Sequence, residues 1–449
     1  MKYLNPTAIN IAWIVLSVGY SFSQNPLVRD QFTADPSARV FGDRVYVFPS
    51  HDIIATEEKG RKDWFCMEDY HVFSSENLTD WTDHGVIVEQ NKVDWVKPES
   101  YSMWAPDCIE KNGKYYFYFP STIKDSLTNV RGFTIGVAIA DKPEGPYVAQ
   151  PLPMKNVRGI DPNVFIDKDG QAYMYWSQGN IYGAKLTDDM LELESEVKIL
   201  GDLPTQGLKE GPYLFERNGI YYLTYPHVED KIERLEYAIS DNPLGPFKVT
   251  GVIMDESPTG CWTNHQSIIE FKNQWYLFYH HNDYSPNFDK ARSIRADYLN
   301  FNDDGTIQKV IPTLRGVGIT KATSKIELDR YSAISEQGAS IAFIDTLNTF
   351  KGWKTVFNQP NAWVQYNNVD FDKKRLKSVR IMAKSESGGT LEIRTNGTNG
   401  PVIAEAKIPK SSDWTEVKVP LKKFEPNHQN LIAISKANTT IETDWIKFE

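Results

Sequence analysis

The sequence predicts an all-β protein, a five-bladed β-propeller followed by a β-sandwich, and three observations along its 449 residues carry that prediction. One short phrase recurs five times, turn pairs break the chain into short strands, and the C-terminal part drops the phrase for plain alternation. Helical periodicity is nearly absent.

Each copy of the phrase has a polar residue, usually beside Pro or Gly, then a short apolar strand, a tight turn and an aromatic strand. The copies run from Asp35-Pro36 to Val45-Tyr46-Val47-Phe48, from Pro106-Asp107 to Tyr115-Tyr116-Phe117-Tyr118, and from Asp161-Pro162 to Tyr173-Met174-Tyr175-Trp176. Two more run from Glu210-Gly211-Pro212 to Tyr221-Tyr222-Leu223-Thr224-Tyr225, and from His265 to Trp275-Tyr276-Leu277-Phe278-Tyr279. They recur every ~50–70 residues, slightly above the spacing of familiar four-stranded propeller repeats. Residues entering the innermost strands from one end converge on the central channel of a propeller, however far apart in sequence. Four of the five leading residues are carboxylates, so an acid-lined funnel is expected.

The elements follow in order. Lys2, an apolar run from Ala8 to Val18 and the small residues Ser21 and Ser23 read as a secretory signal over residues 1–23, with the mature chain starting near Gln24. The run is shorter than the ~20 residues of a spanning helix and no Cys follows the cleavage site. The expectation is therefore an exported protein, periplasmic or extracellular, with no stable membrane anchor. Residues 25–313 form the propeller. Asn112-Gly113, Asp169-Gly170, Asn218-Gly219 and Asp304-Gly305 supply its hairpin turns. Gly145-Pro146-Tyr147 and Gly245-Pro246-Phe247 are expected to close blades and anchor a ring in the core. Gly316 to Thr323 reads as a linker. Residues 324–449 hold alternating segments such as Ser378 to Ala383, Thr390 to Arg394 and Thr415 to Val419, the pattern of a sandwich.

Charge and cysteines narrow the function. Lys plus Arg number 49 against 59 Asp plus Glu, a net charge of −10 with no basic run, which excludes a phosphate-tracking nucleic-acid partner. Aromatics make up 13% of the chain, enough to offer flat rings to sugar faces as well as to fill a core. Cys66, Cys108 and Cys261 are too few and too scattered for a disulfide framework or a zinc site, and read as buried small hydrophobes.

Carboxylates facing one another across a channel are suited to cleaving a glycosidic bond. One protonated carboxyl assists the leaving oxygen and a second, ionised carboxylate activates water on the opposite face of the sugar, a gap of ~6.5–9.5 Å giving inversion. The acid must stay protonated near neutral pH, which burial and a nearby carboxylate achieve.

The phrases Ala34-Asp35-Pro36, Trp104-Ala105-Pro106-Asp107, Gly159-Ile160-Asp161-Pro162-Asn163-Val164-Phe165 and Glu210-Gly211-Pro212-Tyr213 resemble those of glycoside hydrolase family 43 in order and spacing, over roughly Asn25 to Pro312. The resemblance implies a five-bladed propeller, inversion, Asp35 as general base, Glu210 as general acid and Asp161 as the residue that orients the acid and raises its pKa. It also implies a substrate of arabinose- or xylose-bearing plant polysaccharide or oligosaccharide, cleaved by an exo-acting α-L-arabinofuranosidase or β-D-xylosidase. His265 matches a family histidine near a channel water or calcium. Candidate substrate contacts are His265, Trp104 as a stacking ring, Asp107 as a hydrogen-bonding acid, and one of Arg292 and Arg295. The long segment from His51 to Tyr70, with Trp64 and Phe65, is expected to wall off a pocket.

The second module resembles a family 6 carbohydrate-binding module through Ile326-Glu327, Leu391 to Arg394, Gly400 to Ala404 and Asp444 to Phe448. Its opening reads Glu327-Leu328-Asp329 where the family has a Glu-Ala-Glu run, so a bracing role stands beside a glycan-binding one. Glu327 and Asp444 are candidate ligands of a structural calcium, and no cofactor is required for the reaction. Three alternatives remain at this stage: an endo-arabinanase or galactan-cleaving member of the same family, a retaining fructan-cleaving propeller, and a non-catalytic sugar-binding propeller. The fructan reading lacks its Asn-Asp-Pro-Asn-Gly opening, since Thr33-Ala34 precede Asp35.

Overall fold

A computed structural model describes residues 24–124, 132–372 and 376–449; the segment read as a signal, residues 1–23, lies outside them. The first four blades are four-stranded antiparallel sheets. Blade 1 is β1 (Phe32–Phe41), β2 (Arg44–Asp52), β3 (Asp69–Ser75) and β4 (Thr82–Glu89); blade 2 is β5 (Asp107–Lys111), β6 (Lys114–Thr122), β7 (Phe133–Ala140) and β8 (Val148–Ala149). Blade 3 is β9 (Ile160–Ile166), β10 (Ala172–Ser177), β11 (Ile181–Lys185) and β12 (Lys198–Ile199); blade 4 is β13 (Tyr213–Arg217), β14 (Ile220–Val228), β15 (Glu233–Ser240) and β16 (Lys248–Met254). Blade 5 is the three-stranded β17 (Ser267–Phe271), β18 (Gln274–His281) and β19 (Ser293–Leu299). The first strands touch in cyclic order, β1 to β5, β9, β13, β17 and back to β1, which closes the ring around a channel.

Local chemistry explains the elements. Asn112 and Gly113, and likewise Asn218 and Gly219, have positive φ, as the tightest hairpin turns require. The rings after Gly-Pro do anchor blades: Phe247 is buried, and Tyr147 packs 5.6 Å from Phe117 between ring centroids. All three cysteines are buried and free.

The ring is sealed by the segment ahead of β1. Leu27 N donates to Ile294 O at 2.9 Å and Thr33 N to Arg292 O at 2.9 Å, so the N-terminal chain runs along β19. Asn25 completes the seam, its side chain bonding both the N–H and the C=O of Ala296 at 2.9 and 3.0 Å. A lost seam would leave a row of unpaired donors and acceptors at the edge of blade 5.

The second domain is a sandwich of two six-stranded sheets. One runs Thr320–Lys321, Trp363–Asp370, His428–Ser435, Gly389–Thr395, Val402–Ile408, with Ala333–Ile334 beside Trp363–Asp370. The other runs Ala339–Phe343, Trp353–Phe357, Ile441–Phe448, Ser378–Ser385, Ser411–Pro420, with Ile326–Glu327 beside Ile441–Phe448. Alternate residues such as Val379, Ile381 and Ala383 point inward and are fully buried, the period-two signature of a half-buried strand. Thr320–Lys321 lies inside the segment read as linker, so the sandwich starts a few residues before Ser324.

The two domains meet through charge and rings. Arg29 Nη1 pairs with Glu327 Oε2 at 2.6 Å, and Gln24 Nε2 donates to the Tyr366 hydroxyl at 2.8 Å. Tyr284, after blade 5's second strand, stacks on Trp353 at 4.9 Å, and the Arg330 guanidinium lies 3.9 Å from the Trp353 ring centre on its other contacts.

Candidate active site

Two of the predicted acids owe their aim to one backbone device. Asp35 and Asp161 have φ of 48° and 57°, in the left-handed region that few side chains other than Asn and Asp tolerate. Each stands at a slip in pairing: β1 against β2 jumps between Ala34 and Ser37, and β9 against β10 jumps at Tyr175 and Ser177. Pro36 and Pro162, lacking an N–H, occupy the gap where a ladder donor is absent. A bulge of this kind turns the side chain out of the pleat, here into the channel. Gly159 makes room for the second bulge, since a Cβ there would lie 2.1 Å from the Ser177 carbonyl oxygen. Glu210 precedes Gly211, whose φ is 54°, on the approach to β13.

These residues line one pocket at the mouth of the channel: Asp35, Asp161 and Glu210, with Phe65, Met67, Trp104, Thr263, Asn264, His265 and Arg292 around them. A larger cavity of about 530 Å³ beside Pro151 to Arg158 has, among the described residues, one carboxylate in its lining, Glu192.

Asp35 is built to stay ionised. Its Oδ1 accepts from Arg292 Nη1 at 2.8 Å and its Oδ2 from the Ser50 hydroxyl at 2.6 Å. Burial alone would raise its pKa, but the Arg292 charge, helped by the Ser50 hydrogen bond, pulls it down from 3.8 to about 2. Arg292 is fixed in turn by Asp52, which accepts from Nε at 2.8 Å and Nη2 at 2.9 Å, a bidentate fork. His280 Nδ1 accepts from the Asp35 backbone N–H at 3.1 Å and Nε2 faces the Thr263 carbonyl at 3.1 Å. That fixes a neutral imidazole, and burial together with Arg292 holds its pKa near 3.

Glu210 has the opposite setting. Burial, then the Asp35 charge, raises its pKa. Asp161, in contact through the Gly211 N–H that donates to its Oδ2 at 3.1 Å, is raised by burial, by Glu210 and by Asp35. One pocket thus pulls the pKa of one carboxyl down and pushes that of another up, the contrast that acid–base cleavage of a glycoside uses.

Four of the other predicted residues are in or on this pocket. His265 lies 4.0 Å from Asp35, partly exposed to the pocket, with its pKa lowered by burial. Trp104 lines the wall, its ring 4.5 Å from Phe133 and 5.8 Å from Phe65, so it is braced on one side and offers the rest of its face to the pocket. Arg292 is there, and Phe65 of the predicted wall packs 4.9 Å from its guanidinium. Trp64 is instead 40% exposed and stands outside the pocket.

Two predicted contacts are not. Asp107 sits deeper in the channel, clasped by Arg39 and Ser37 from blade 1 and by Val164 N and Asn163 from blade 3. Its hydrogen bonds lock three blades together and leave it nothing for a sugar. Arg295 lies in β19, an odd three residues past Arg292 at the strand's entry, and so points to the other face, where its Nη1 meets His281 at 2.7 Å and Asp283 at 3.5 Å and its Nη2 meets the Thr313 carbonyl at 2.7 Å.

The calcium assignments fit poorly. Glu327 is neutralised by Arg29 and by Arg330, and Asp444 is pushed up to about 6 by burial and by Glu327, so the pair offers neither free charge nor an oxygen cage. Around His265 the nearest carboxylate, Asp35, is already held by Arg292. Among the described residues the one group with metal-ligating spacing is His51, Asp69 and His71, and there each imidazole Nδ1 is engaged by an aspartate, His51 by Asp69 at 2.6 Å and His71 by Asp83 at 3.0 Å.

Sequence reasoning missed Ser50, Asp52, Glu233 and His280. All lie within or at the ends of second and third strands of their blades, outside the repeated phrase.

Comparison with known proteins agrees with the geometry. The profile of "Glycosyl hydrolases family 43" matches residues 23–307, and that of "Carbohydrate binding module (family 6)" matches residues 333–449. The chain is 36% identical to a xylosidase/arabinosidase of Humicola insolens over 63% of its own length and 98% of the relative's. It is 26% identical to an arabinoxylan arabinofuranohydrolase of Paenibacillus polymyxa over 88% of its length and 69% of the relative's. Among solved structures, a β-xylosidase/α-arabinofuranosidase from a compost microbial metagenome, in complex with xylotriose, superposes with a TM-score of 0.57 at 35% identity, over 65% of this chain and 98% of that one. With three carboxyls meeting at the mouth of a five-bladed ring and the family profile spanning that ring, the chain belongs to glycosyl hydrolase family 43 and is a glycosidase.

Proposed function

We propose that the protein is an exported, exo-acting α-L-arabinofuranosidase or β-D-xylosidase that trims arabinose- or xylose-bearing plant polysaccharide with inversion. The observation that carries this reading is the opposite setting of two carboxyls in one pocket, Asp35 pulled down by Arg292 and Glu210 pushed up by burial. Asp35 acts as general base: it takes a proton from a water that attacks the anomeric carbon. Glu210 acts as general acid: its proton passes to the glycosidic oxygen as the C–O bond breaks, and the leaving chain departs as an alcohol. Asp161 holds Glu210's segment through the Gly211 N–H. Walls from Phe65, Met67 and Trp104 narrow the mouth, which favours removal of a terminal or side-chain sugar over cleavage within a long chain.

The xylotriose complex of the compost enzyme and the two-domain match to an arabinoxylan arabinofuranohydrolase support a pentose substrate. The test is a panel of arabinoxylan, debranched arabinan and xylo-oligosaccharides, with proton NMR of the first product. Release of single arabinose or xylose units of inverted configuration is expected. Internal cleavage of arabinan to oligosaccharides overturns exo action, and retained configuration overturns the inverting scheme.

A further inference from the structure

Glu233 opens β15 in blade 4, the third strand of its sheet, in the segment Glu233-Arg234-Leu235-Glu236-Tyr237. Alternating charges there read as a solvent-facing strand, yet Glu233 has no exposed surface. Its backbone N–H donates to the Trp262 carbonyl at 3.1 Å, and its Oε2 accepts from the Asn264 N–H at 2.6 Å. No cation among the described residues forms an ion pair with it. Oε1 is fully buried and has no hydrogen-bond donor among the described residues, and the neighbouring acid that acts on the Glu233 carboxyl most strongly is Glu210.

Two neighbouring carboxyl groups disfavour double ionisation, so one of them holds its proton more tightly. The Asn264 N–H occupies Oε2 of Glu233, which leaves Oε1 as the oxygen that carries the proton. We propose that Glu233 is a positioning residue for the general acid: it stays protonated and donates Oε1–H to Glu210, fixing its rotamer and stabilising the carboxylate that Glu210 becomes. This rests on the assignment of Glu210 as the acid.

The proton balance is simple. In the competent state both carboxyls carry a proton. Glu210 gives its own to the glycosidic oxygen as the C–O bond breaks, Asp35 takes one from the attacking water, and Glu233 keeps its proton throughout. Without that proton, donation by Glu210 would leave two negative charges in a buried pair. Burial first, and Glu210 second, raise the Glu233 pKa well above its ordinary value, in keeping with a carboxyl that does not ionise. The other charged groups facing the pair are Asp161, Asp35 and Arg292, and the first two also oppose its ionisation.

The test compares Glu233→Gln with Glu233→Met on a poorly activated xylo- or arabino-oligosaccharide and on an aryl glycoside. The amide of Gln reproduces the donor and is expected to keep turnover within a few-fold of wild type and leave the alkaline limb of kcat/KM in place. Met has similar bulk and no donor. Its kcat on the oligosaccharide is expected to fall roughly 10–100-fold, the worth of a hydrogen bond to a charged group, with a much smaller fall on the aryl substrate. Its alkaline limb should move to higher pH, because an unaided Glu210 carboxylate is harder to form. Equal losses on both substrates, with no shift of the limb, mean that Glu233 only packs the strand. If Met fails to fold, Gln alone decides: were Glu233 ionised in the working enzyme, Gln would remove a charge and move the alkaline limb to lower pH. Failure of the acid assignment itself is a separate result, read from Glu210→Gln retaining turnover on the oligosaccharide.

Discussion

Arg292 grips two buried aspartates at once, Asp52 with its Nε and Nη2 and Asp35 with its Nη1 at 2.8 Å. The fork sets both the place and the charge of the proposed base. Because the folded value of Asp35, about 2, lies below the ordinary 3.8, its stabilising contribution is full above the unfolded value and is lost as pH falls through about 2. The base therefore stays ionised across the working pH range of the wild-type enzyme. Arg292→Lys keeps a charge but not the fork. Burial of Asp35 is then less well opposed, its pKa rises, and the acid limb of kcat/KM is expected to move to higher pH with a loss of about 10–100-fold at the optimum. An unmoved limb in a folded variant would place the acid limb and the charge of Asp35 under other control.

Asp35→Asn and Glu210→Gln are each expected to lower kcat on an oligosaccharide by about 10²–10⁴-fold, the usual reach of general acid–base catalysis, without unfolding the protein. They separate on an activated substrate. A p-nitrophenolate leaves without a proton, so Glu210→Gln should recover much of its rate there, while Asp35→Asn should not. Matched circular dichroism and melting curves confirm that both variants are folded.

The propeller was legible because a blade repeats, and each lead residue carries a sequence mark, Asp-Pro, Glu-Gly-Pro or a polar residue before the aromatic strand. Asp35, Asp161, Glu210 and His265 were found that way, and all line the pocket. Direction along a strand was less legible. Arg292 and Arg295 are both arginines near the same strand end, and only their odd spacing, which sends them to opposite faces, separates a pocket residue from a core one. Asp107 shares the lead position, but blade 1 supplies Arg39 to it, a long-range partner that no local pattern announces. Glu233 and Asp52 have no sequence mark, since a buried carboxylate on a second or third strand looks like any exposed one until its partner is known.

Gly159 is a point where the fold meets the site. Its φ of 131° is outside what L side chains adopt readily, and an added Cβ would strike the backbone of Ser177 rather than a side chain that could swing away. Gly159→Ala is expected to lower stability by about 2 kcal/mol or more and to cost activity beyond that, since the Asp161 bulge is two residues on. A thermal melt and kcat at a temperature where the variant is folded check the two parts separately.

The family 6 module offers Trp353, an aromatic that a sugar platform would need exposed. It is buried instead, between Tyr284 of the propeller, Phe343 and the Arg330 guanidinium. Trp353→Ala is expected to destabilise the protein by roughly 3 kcal/mol, as a large buried ring lost from a core does, and to leave retention on insoluble arabinoxylan unchanged. Reduced retention with an unchanged melting temperature would make Trp353 a glycan contact.

Asp161 is in contact with the acid's segment through the Gly211 N–H, and burial raises both carboxyls. The Glu210 charge raises the pKa of Asp161, so the titrations of the two carboxyls are linked. Asp161→Asn removes one titrating member while keeping the shape and an oxygen for the Gly211 N–H. Glu210 then ionises against one charge fewer, so the alkaline limb of kcat/KM is expected to move to lower pH. A fall in the maximal rate should accompany the shift, because the amide oxygen is a weaker acceptor and holds the Gly211 segment less firmly. If Asp161 served only to cap the strand entry beside Pro162, the melting temperature would drop while the limb stayed where it was. That outcome would leave Asp35 and Glu210 as a working pair and pass the control of Glu210's proton to burial and to Glu233.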